Sequence, residues 1–129
     1  MSDAPFGLHI RHAADAAGVR RALDETLPAY ARVFPADTAA PILVKPNLNA
    51  NMNALTGNTT DLRLLFALLG HLHDAGYRRV VVGEGTNSGF YRNKIGVIER
   101  LRVDRAAARF GYEAVDLNYA PGVPIAFEN

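Results

Sequence analysis

The segment Arg78-Arg79-Val80-Val81-Val82-Gly83-Glu84-Gly85 contains three consecutive valines, followed directly by glycines and a carboxylate. An uninterrupted apolar run is typical of a strand buried on both faces, as strands of parallel sheets are. Arg78–Gly83 is therefore predicted to be a strand. Runs of the same kind occur at Pro41–Lys45 and Glu113–Leu117. The three runs together predict strands of one sheet.

Helical patterns lie between and before these strands. Across Asp15–Phe34 an apolar residue recurs every three or four positions, which predicts an amphipathic helix. Pro28 is expected to kink or restart this helix, because proline lacks an N–H and clashes with the preceding turn. Pro35 is expected to end it. Lys94–Arg109 predicts one broken helix or two short ones.

A leucine-rich helix is predicted between the first two apolar runs. Thr59 or Thr60 is expected to cap it, with Asp61 in its first turn. Ala75–Gly76 is expected to end it, because Gly76 can adopt a positive φ. The predicted core face consists of Leu62, Leu65, Phe66, Leu69 and Leu72.

This alternation predicts an α/β fold with a Rossmann-like, open and mostly parallel sheet, because parallel strands need crossover helices. Leu8–Arg11 alternates apolar and polar residues, which predicts a further strand before the first helix. Ile125–Phe127 is a candidate for the start of another. Residues 1–129 are predicted to form a single α/β domain that is incomplete at the C-terminal end of the sheet.

Composition excludes several classes of function. The net charge is +1 and apolar residues make up 49%, which argues against a strongly cationic nucleic-acid binder and gives no general attraction to acidic membranes. Cysteine is absent, so this chain can supply no thiolate ligand and no cysteine nucleophile. No apolar run approaches the ~20 residues that span a bilayer. The N-terminus does not resemble a signal peptide, and the expected location is cytoplasmic.

Three polar clusters follow predicted strands or begin a predicted helix: residues 45–49, 57–61 and 83–89. Ligands of open α/β sheets bind beyond the carboxyl ends of the strands, which is where all three clusters are expected to lie. The connections 47–58 and 84–93 are predicted to be loops, since they are rich in Asn, Gly, Thr and Ser. Their shared location predicts a small-molecule site at this edge.

Lys45 directly ends one apolar run and precedes a proline. It could bind a phosphate or carboxylate, or act as a base if desolvated. It could equally extend its ammonium group to water from a strand end. From the sequence both interpretations stay open.

The other candidate residues also carry two interpretations each. Thr59 and Thr60 could bind an anion at a helix N-terminus or form an ordinary cap. Glu84 could be a general base or metal ligand, or a solvated glutamate in a flexible turn. Arg92 could bind an anion, or belong to a loop anchored by two aromatic residues. Residues 83–89 are not a dinucleotide fingerprint, because that pattern requires a glycine where Ser88 stands. No metal site is predicted.

Several segments together resemble the DUF362 family of uncharacterised proteins. The resemblance covers most of residues 8–118 and rests on segments 42–49, 59–61, 75–76, 80–85 and 111–118, of which Lys-Pro-Asn followed by Thr-Thr-Asp is the most specific. It implies a bacterial or archaeal α/β domain, sometimes joined to a ferredoxin-like iron–sulfur module, and supplies no settled reaction. The family's later half and the cysteines of that module are missing, so the chain is expected to be the N-terminal part of a longer domain.

Two functional hypotheses follow, and whether the chain is an enzyme stays open. In the first it binds an anionic small molecule held by Lys45 and the Thr59–Thr60 helix start, with Glu84 as acid, base or metal ligand. The residues expected to orient that ligand are Asn47, Asn49, Asn87, Ser88 and Arg92. In the second it is a non-catalytic ligand-sensing or protein-interaction domain. The sequence does not identify a cofactor. The expected partner is an anionic small molecule, with no nucleic acid or membrane, and a second copy or the missing C-terminal half is a possible further partner.

Overall fold

The computed structural model describes residues 7–50 and 52–126. A parallel sheet contains β1 (Ile42–Val44), β2 (Val80–Glu84) and β3 (Glu113–Asp116) in the order β1-β2-β3. Register aligns Val44 with Val82, and Glu84 with Asp116, so the carboxyl ends of neighbouring strands meet at one edge. The predicted α/β fold with an open parallel sheet is confirmed.

Helices and short helical turns connect and precede these strands. Within the described residues the chain forms α1 (Ala16–Thr26), a 3-10 helix (Leu27–Val33), a 3-10 turn (Ala54–Thr56), α2 (Leu62–Asp74), α3 (Ser88–Arg92), α4 (Val97–Arg100) and α5 (Val103–Ala108). The longest of them, α2, supplies three buried leucines to the core beneath the sheet. No helix in the ranges 7–50 and 52–126 is both long and apolar enough to cross a bilayer.

Pro28 lies where the helix changes its form, as the sequence predicts. Helix α1 begins after Asp15, whose side chain accepts a hydrogen bond from the Gly18 N–H, and continues to Thr26. The helix then tightens into the 3-10 segment that contains Pro28. Phe34 and Pro35 follow in extended backbone and coil. The prediction that Pro28 restarts the helix and Pro35 ends it is confirmed.

The cap of α2 differs from the prediction. Asp61 is the N-cap, and its carboxylate accepts a hydrogen bond from the Arg63 N–H at 2.8 Å. The Thr59 hydroxyl instead donates to the Ala50 carbonyl at 3.1 Å, and the Thr60 N–H donates to the Asn47 carbonyl at 2.7 Å. Both threonines are therefore used to hold the preceding loop, and the prediction of a threonine cap is wrong. Gly76, at φ +93°, does end the helix region in the left-handed conformation.

The core lies between the sheet and α2, α4 and α5. Its fully buried side chains are Leu48, Leu69, Leu72, Val82, Val97 and Val103. Leu65 joins them, whereas Phe66, also expected in the core, is partly exposed and stacks against Phe110 at 4.9 Å between ring centroids. Three of the five predicted core positions of α2 are thus buried.

Three further predictions do not hold as stated, and a fourth lies partly outside the described residues. Leu8–Arg11 is coil, with Leu8 88% and Ile10 80% exposed, because none of the described strands pairs with it. β1 is not buried on both faces, since it lies at the edge of the sheet and Leu43 is 58% exposed. The predicted loop 84–93 contains the last residue of β2 and the short helix α3. Residues 121–126 form no regular structure, and Phe127 lies outside the described residues.

Candidate functional site

The structure brings Lys45 and Glu84 together at the carboxyl edge of the sheet. Lys45 directly follows β1, and Glu84 is the last residue of β2. The Lys45 Nζ atom lies 3.0 Å from Oε1 of Glu84 and 3.1 Å from Oε2. The parallel pairing of β1 with β2 therefore places two residues that are 39 positions apart in direct contact.

Glu84 is a buried carboxylate with three donors. It is 5% exposed and accepts hydrogen bonds from Lys45, from the Gly85 N–H at 2.8 Å and from the Leu48 N–H at 3.4 Å. The interpretation of Glu84 as a solvated glutamate in a flexible turn is wrong. These contacts satisfy both carboxylate oxygens, which allows the charge to be buried. Glu84 thereby fixes the loop after β1 against the end of β2.

Lys45 combines a fixed position with an accessible charge. Its side chain is 59% exposed, although its ammonium group contacts a buried partner. An ammonium group has three N–H donors, and the contact with Glu84 satisfies only part of that capacity. Two backbone N–H groups also donate to Glu84, so Lys45 is one of three donors to that carboxylate. The Lys45 ammonium group therefore keeps N–H donors that have no partner among the described residues.

The predicted orienting residues Asn49 and Asn87 connect the loops to each other. The Asn49 carbonyl accepts from the Asn87 N–H at 3.2 Å and from its Nδ2 at 3.1 Å. The Asn49 Nδ2 donates to Asn58 Oδ1 at 3.0 Å, and Asn87 Oδ1 accepts from the first N–H groups of α3. These amides stabilise the shape of the edge and have few polar atoms left for a ligand.

The sequence interpretation missed Asn118, which follows β3. Its Nδ2 donates to the Thr86 hydroxyl at 2.9 Å and to the Thr86 carbonyl at 3.2 Å. A Cβ atom at Gly85 would lie 2.9 Å from Asn118 Oδ1, so a larger residue there would require the Asn118 side chain to shift. Asn118 directly follows an apolar run, as Lys45 does, and that position could have identified it.

Three predicted residues do not join this cluster. Asn47, Ser88 and Arg92 are exposed, and their side chains form no hydrogen bond or ion pair with the described part of the chain. Asn47 is nevertheless two residues from Lys45 on the same loop. Ser88 and Arg92 lie on α3. Their ligand-binding roles stay predictions.

The N-terminus of α2 already holds an anion of its own. The Asp61 carboxylate caps the helix and forms an ion pair with Arg63 at 2.6 Å. The hydrogen bond from Arg63 lowers the pKa of Asp61 below its ordinary value. A carboxylate at this place occupies the positive end of the helix dipole. The expected role of Thr59 and Thr60 as an anion-binding helix start therefore has a competitor inside the chain.

Asp61 should make the free energy of unfolding depend on pH. Because its folded-state pKa lies below the ordinary value of 3.8, its stabilisation is fully present above that value and is lost as pH falls through the lower folded-state pKa. Asp61→Asn keeps the cap but removes the charge, so it should lose less stability between about pH 6 and about pH 3 than the parent in urea unfolding. Asp61→Ala should cost about 1 kcal/mol from the lost cap, and the cost should be larger at about pH 6 than at about pH 3 because the variant also removes the charge. Equal losses in the parent and Asp61→Asn would contradict this role.

No group of three His, Asp or Glu side chains suitable for a metal ion occurs within residues 7–50 and 52–126.

Lys45 and Thr60 line one groove of about 610 Å³ between β1, α2 and the segment from α1 to Pro35. Glu84 is buried and is not among the residues that line it. Lys45 and Thr60 are therefore the polar residues that this groove shares with the carboxyl edge of the sheet.

A family model described as "Domain of unknown function (DUF362)" matches residues 42–129, which is more than half of the chain. The chain belongs to the DUF362 family. The match begins at Ile42, the first residue of β1, and includes Lys45, Glu84 and Asn118. A search of curated proteins and a search of solved structures returned no match. Membership in DUF362 confirms the resemblance but assigns no reaction, so the roles of the site residues rest on their geometry.

Proposed function

We propose that this DUF362 chain binds a small molecule bearing a carboxylate or a phosphate at the carboxyl edge of its sheet. The main support for this proposal is the ion pair between the buried carboxylate of Glu84 and the ammonium group of Lys45, whose side chain is 59% exposed. Lys45 is therefore placed before any ligand arrives. Placement in advance reduces the side-chain entropy that binding would otherwise cost.

In this proposal Lys45 is the charged contact and Glu84 is a positioning residue. Glu84 was expected to act as an acid, a base or a metal ligand, but Lys45 and two backbone N–H groups already occupy its oxygens. Thr60 and Asn47 stand on either side of the hydrogen bond between the Thr60 N–H and the Asn47 carbonyl. Their side chains are the polar groups best placed to bind a ligand beside Lys45.

A second candidate is a non-catalytic ligand-sensing or interaction domain on the same scaffold. Every buried side-chain nitrogen or oxygen of the described residues has a hydrogen-bond partner. Such pairing is usual in folded proteins with and without catalytic activity, so experiment has to separate this candidate from an enzyme. Consumption of a bound ligand would favour an enzyme. A homo-oligomer and a cytoplasmic location stay predictions.

Lys45→Ala should weaken anion binding by about ten- to hundredfold, because a hydrogen bond to a charged group contributes about 1.5–3 kcal/mol. Acetate, inorganic phosphate and pyrophosphate serve as probes in a thermal-shift screen, since a ligand of the folded state raises the apparent stability. Titration calorimetry then gives the affinities.

Lys94→Ala is the matched control, because Lys94 is the only other lysine of the chain and is exposed. It should bind each probe as tightly as the parent. Lys45→Arg should keep most of the affinity if the residue only supplies charge, but should abolish any proton transfer by Lys45. Equal affinities in the parent and a folded Lys45→Ala protein would contradict the proposal.

A further inference from the structure

The groove that contains Lys45 is apolar along nearly all of its surface. It has a volume of about 610 Å³, and apolar side chains from α1, the 3-10 helix, β1 and α2 line it, among them Leu27, Phe34, Leu43 and Leu68. This volume falls within the range of about 300–1,000 Å³ that is usual for small-molecule sites. Such sites combine apolar walls with a few polar groups that fix orientation.

The polar groups of the groove lie together at one end. Lys45 is the only charged residue and Thr60 the only other polar residue among those that line it. The hydrogen bond from the Thr60 N–H to the Asn47 carbonyl holds Thr60 beside the loop that follows Lys45. The Thr60 hydroxyl forms no hydrogen bond with the described part of the chain, so it is available to a ligand.

The charge at this end matches a carboxylate better than a phosphate. A carboxylate carries one negative charge, and one ammonium group together with one hydroxyl can contact its two oxygens. A phosphate group carries about −1.5 to −2 charges and usually requires more donors. A small inorganic anion would also leave the apolar walls in contact with water.

We propose that the ligand of this site is a soluble monocarboxylate with a linear apolar tail. The inference rests on the proposed function and adds the class of ligand. The carboxylate contacts Lys45 and Thr60, and the tail lies along Leu43, Leu68 and Leu27. Removing this tail from water supplies affinity that acetate cannot gain.

A chain-length series tests the tail. Acetate, hexanoate, octanoate and decanoate are titrated into the full chain by calorimetry, below the concentrations at which they aggregate. Each CH₂ group that enters the groove should raise the affinity by up to about fourfold. Octanol has the tail without the charge and should bind at least about tenfold more weakly than octanoate.

Two valine variants locate the tail. Val33 lines the groove and is exposed, so Val33→Asp should weaken octanoate binding at least about fivefold, since a hydrated aspartate disrupts the apolar wall that the tail would cover. Acetate has no tail and should lose less affinity than octanoate. Val123→Asp is the matched control, because Val123 is exposed and does not line the groove. It should bind octanoate as the parent does.

Each other outcome overturns the inference in a recognisable way. Equal affinities for acetate and octanoate would support the anion site but contradict the binding of an apolar tail in the groove. Octanol as tight as octanoate would show an apolar site without an anion contact. Affinity that falls as protein concentration rises would show that a second copy covers the groove. If no anion binds in a Lys45-dependent way, the proposed function fails as well.

Discussion

Lys45→Ala should lower the free energy of unfolding by about 1.5–3 kcal/mol, well above the effect of an ordinary surface substitution. The variant leaves the Glu84 carboxylate buried with only the Leu48 and Gly85 N–H groups as donors. Because Lys45 is more than half exposed, water can partly replace it, which places the expected loss below that of a fully buried ion pair. Urea unfolding followed by circular dichroism measures it.

A double-mutant cycle identifies the cause of that loss. Glu84→Gln removes the charge that needs Lys45, so the double variant Lys45→Ala/Glu84→Gln should lose less stability than the two single losses added together. Lys94→Ala should change stability by less than about 0.5 kcal/mol, since Lys94 forms no ion pair with the described residues. Additive losses would show that the contact between Lys45 and Glu84 contributes nothing to the fold.

Leu69→Ala should lower the free energy of unfolding by about 2–5 kcal/mol. Leu69 is fully buried in the middle of α2, within the cluster that joins this helix to the sheet. Its truncation removes apolar contacts and leaves a cavity that rigid neighbours fill only partly. The loss should appear in urea unfolding and as a lower melting temperature.

Leu55→Ala is the control for this prediction. Leu55 is exposed in the 3-10 turn before α2, and its truncation should change stability by less than about 0.5 kcal/mol. A loss at Leu69 no larger than that at Leu55 would contradict the packing of α2 against β2.

The sheet could be predicted from the sequence because its strands are continuous apolar runs. Val80–Val82 has too few polar residues for a surface strand, and the helical pattern before it requires a crossover. The same reasoning wrongly predicted a strand at Leu8–Arg11. Alternation of apolar and polar residues is typical of a half-buried strand, but a strand also needs a neighbouring strand, and no described strand lies beside this segment. Pairing of this kind is not visible in a short sequence window.

The cap of α2 could not be predicted for a different reason. Thr59, Thr60 and Asp61 are all good caps, so residue preference alone does not choose among them. Long-range contacts decide, since Ala50 accepts from the Thr59 hydroxyl and Asn47 accepts from the Thr60 N–H. Asp61 is the residue left to cap the helix.

The location of the site could be predicted from the sequence, but the contact between Lys45 and Glu84 could not. The rule that ligands of α/β sheets bind at the carboxyl edge located Lys45 and Glu84 correctly at that edge. The rule does not say which strands are neighbours or how they align, and the ion pair depends on both. The burial of Glu84 against Lys45, which the structure shows, is also what predicts a measurable loss of stability when Lys45 is removed.

Contact between an anion and Lys45, held in place by Glu84, can be followed through the side-chain ammonium signals in nuclear magnetic resonance. The chain has two lysines, so Lys45 and Lys94 give two signals that single Lys→Arg variants assign. Acetate, inorganic phosphate and octanoate are titrated separately. We expect at least one of these anions to shift the Lys45 signal to saturation, while the Lys94 signal changes only gradually with ionic strength. Equal and unsaturable shifts of both lysines with all three anions would contradict it.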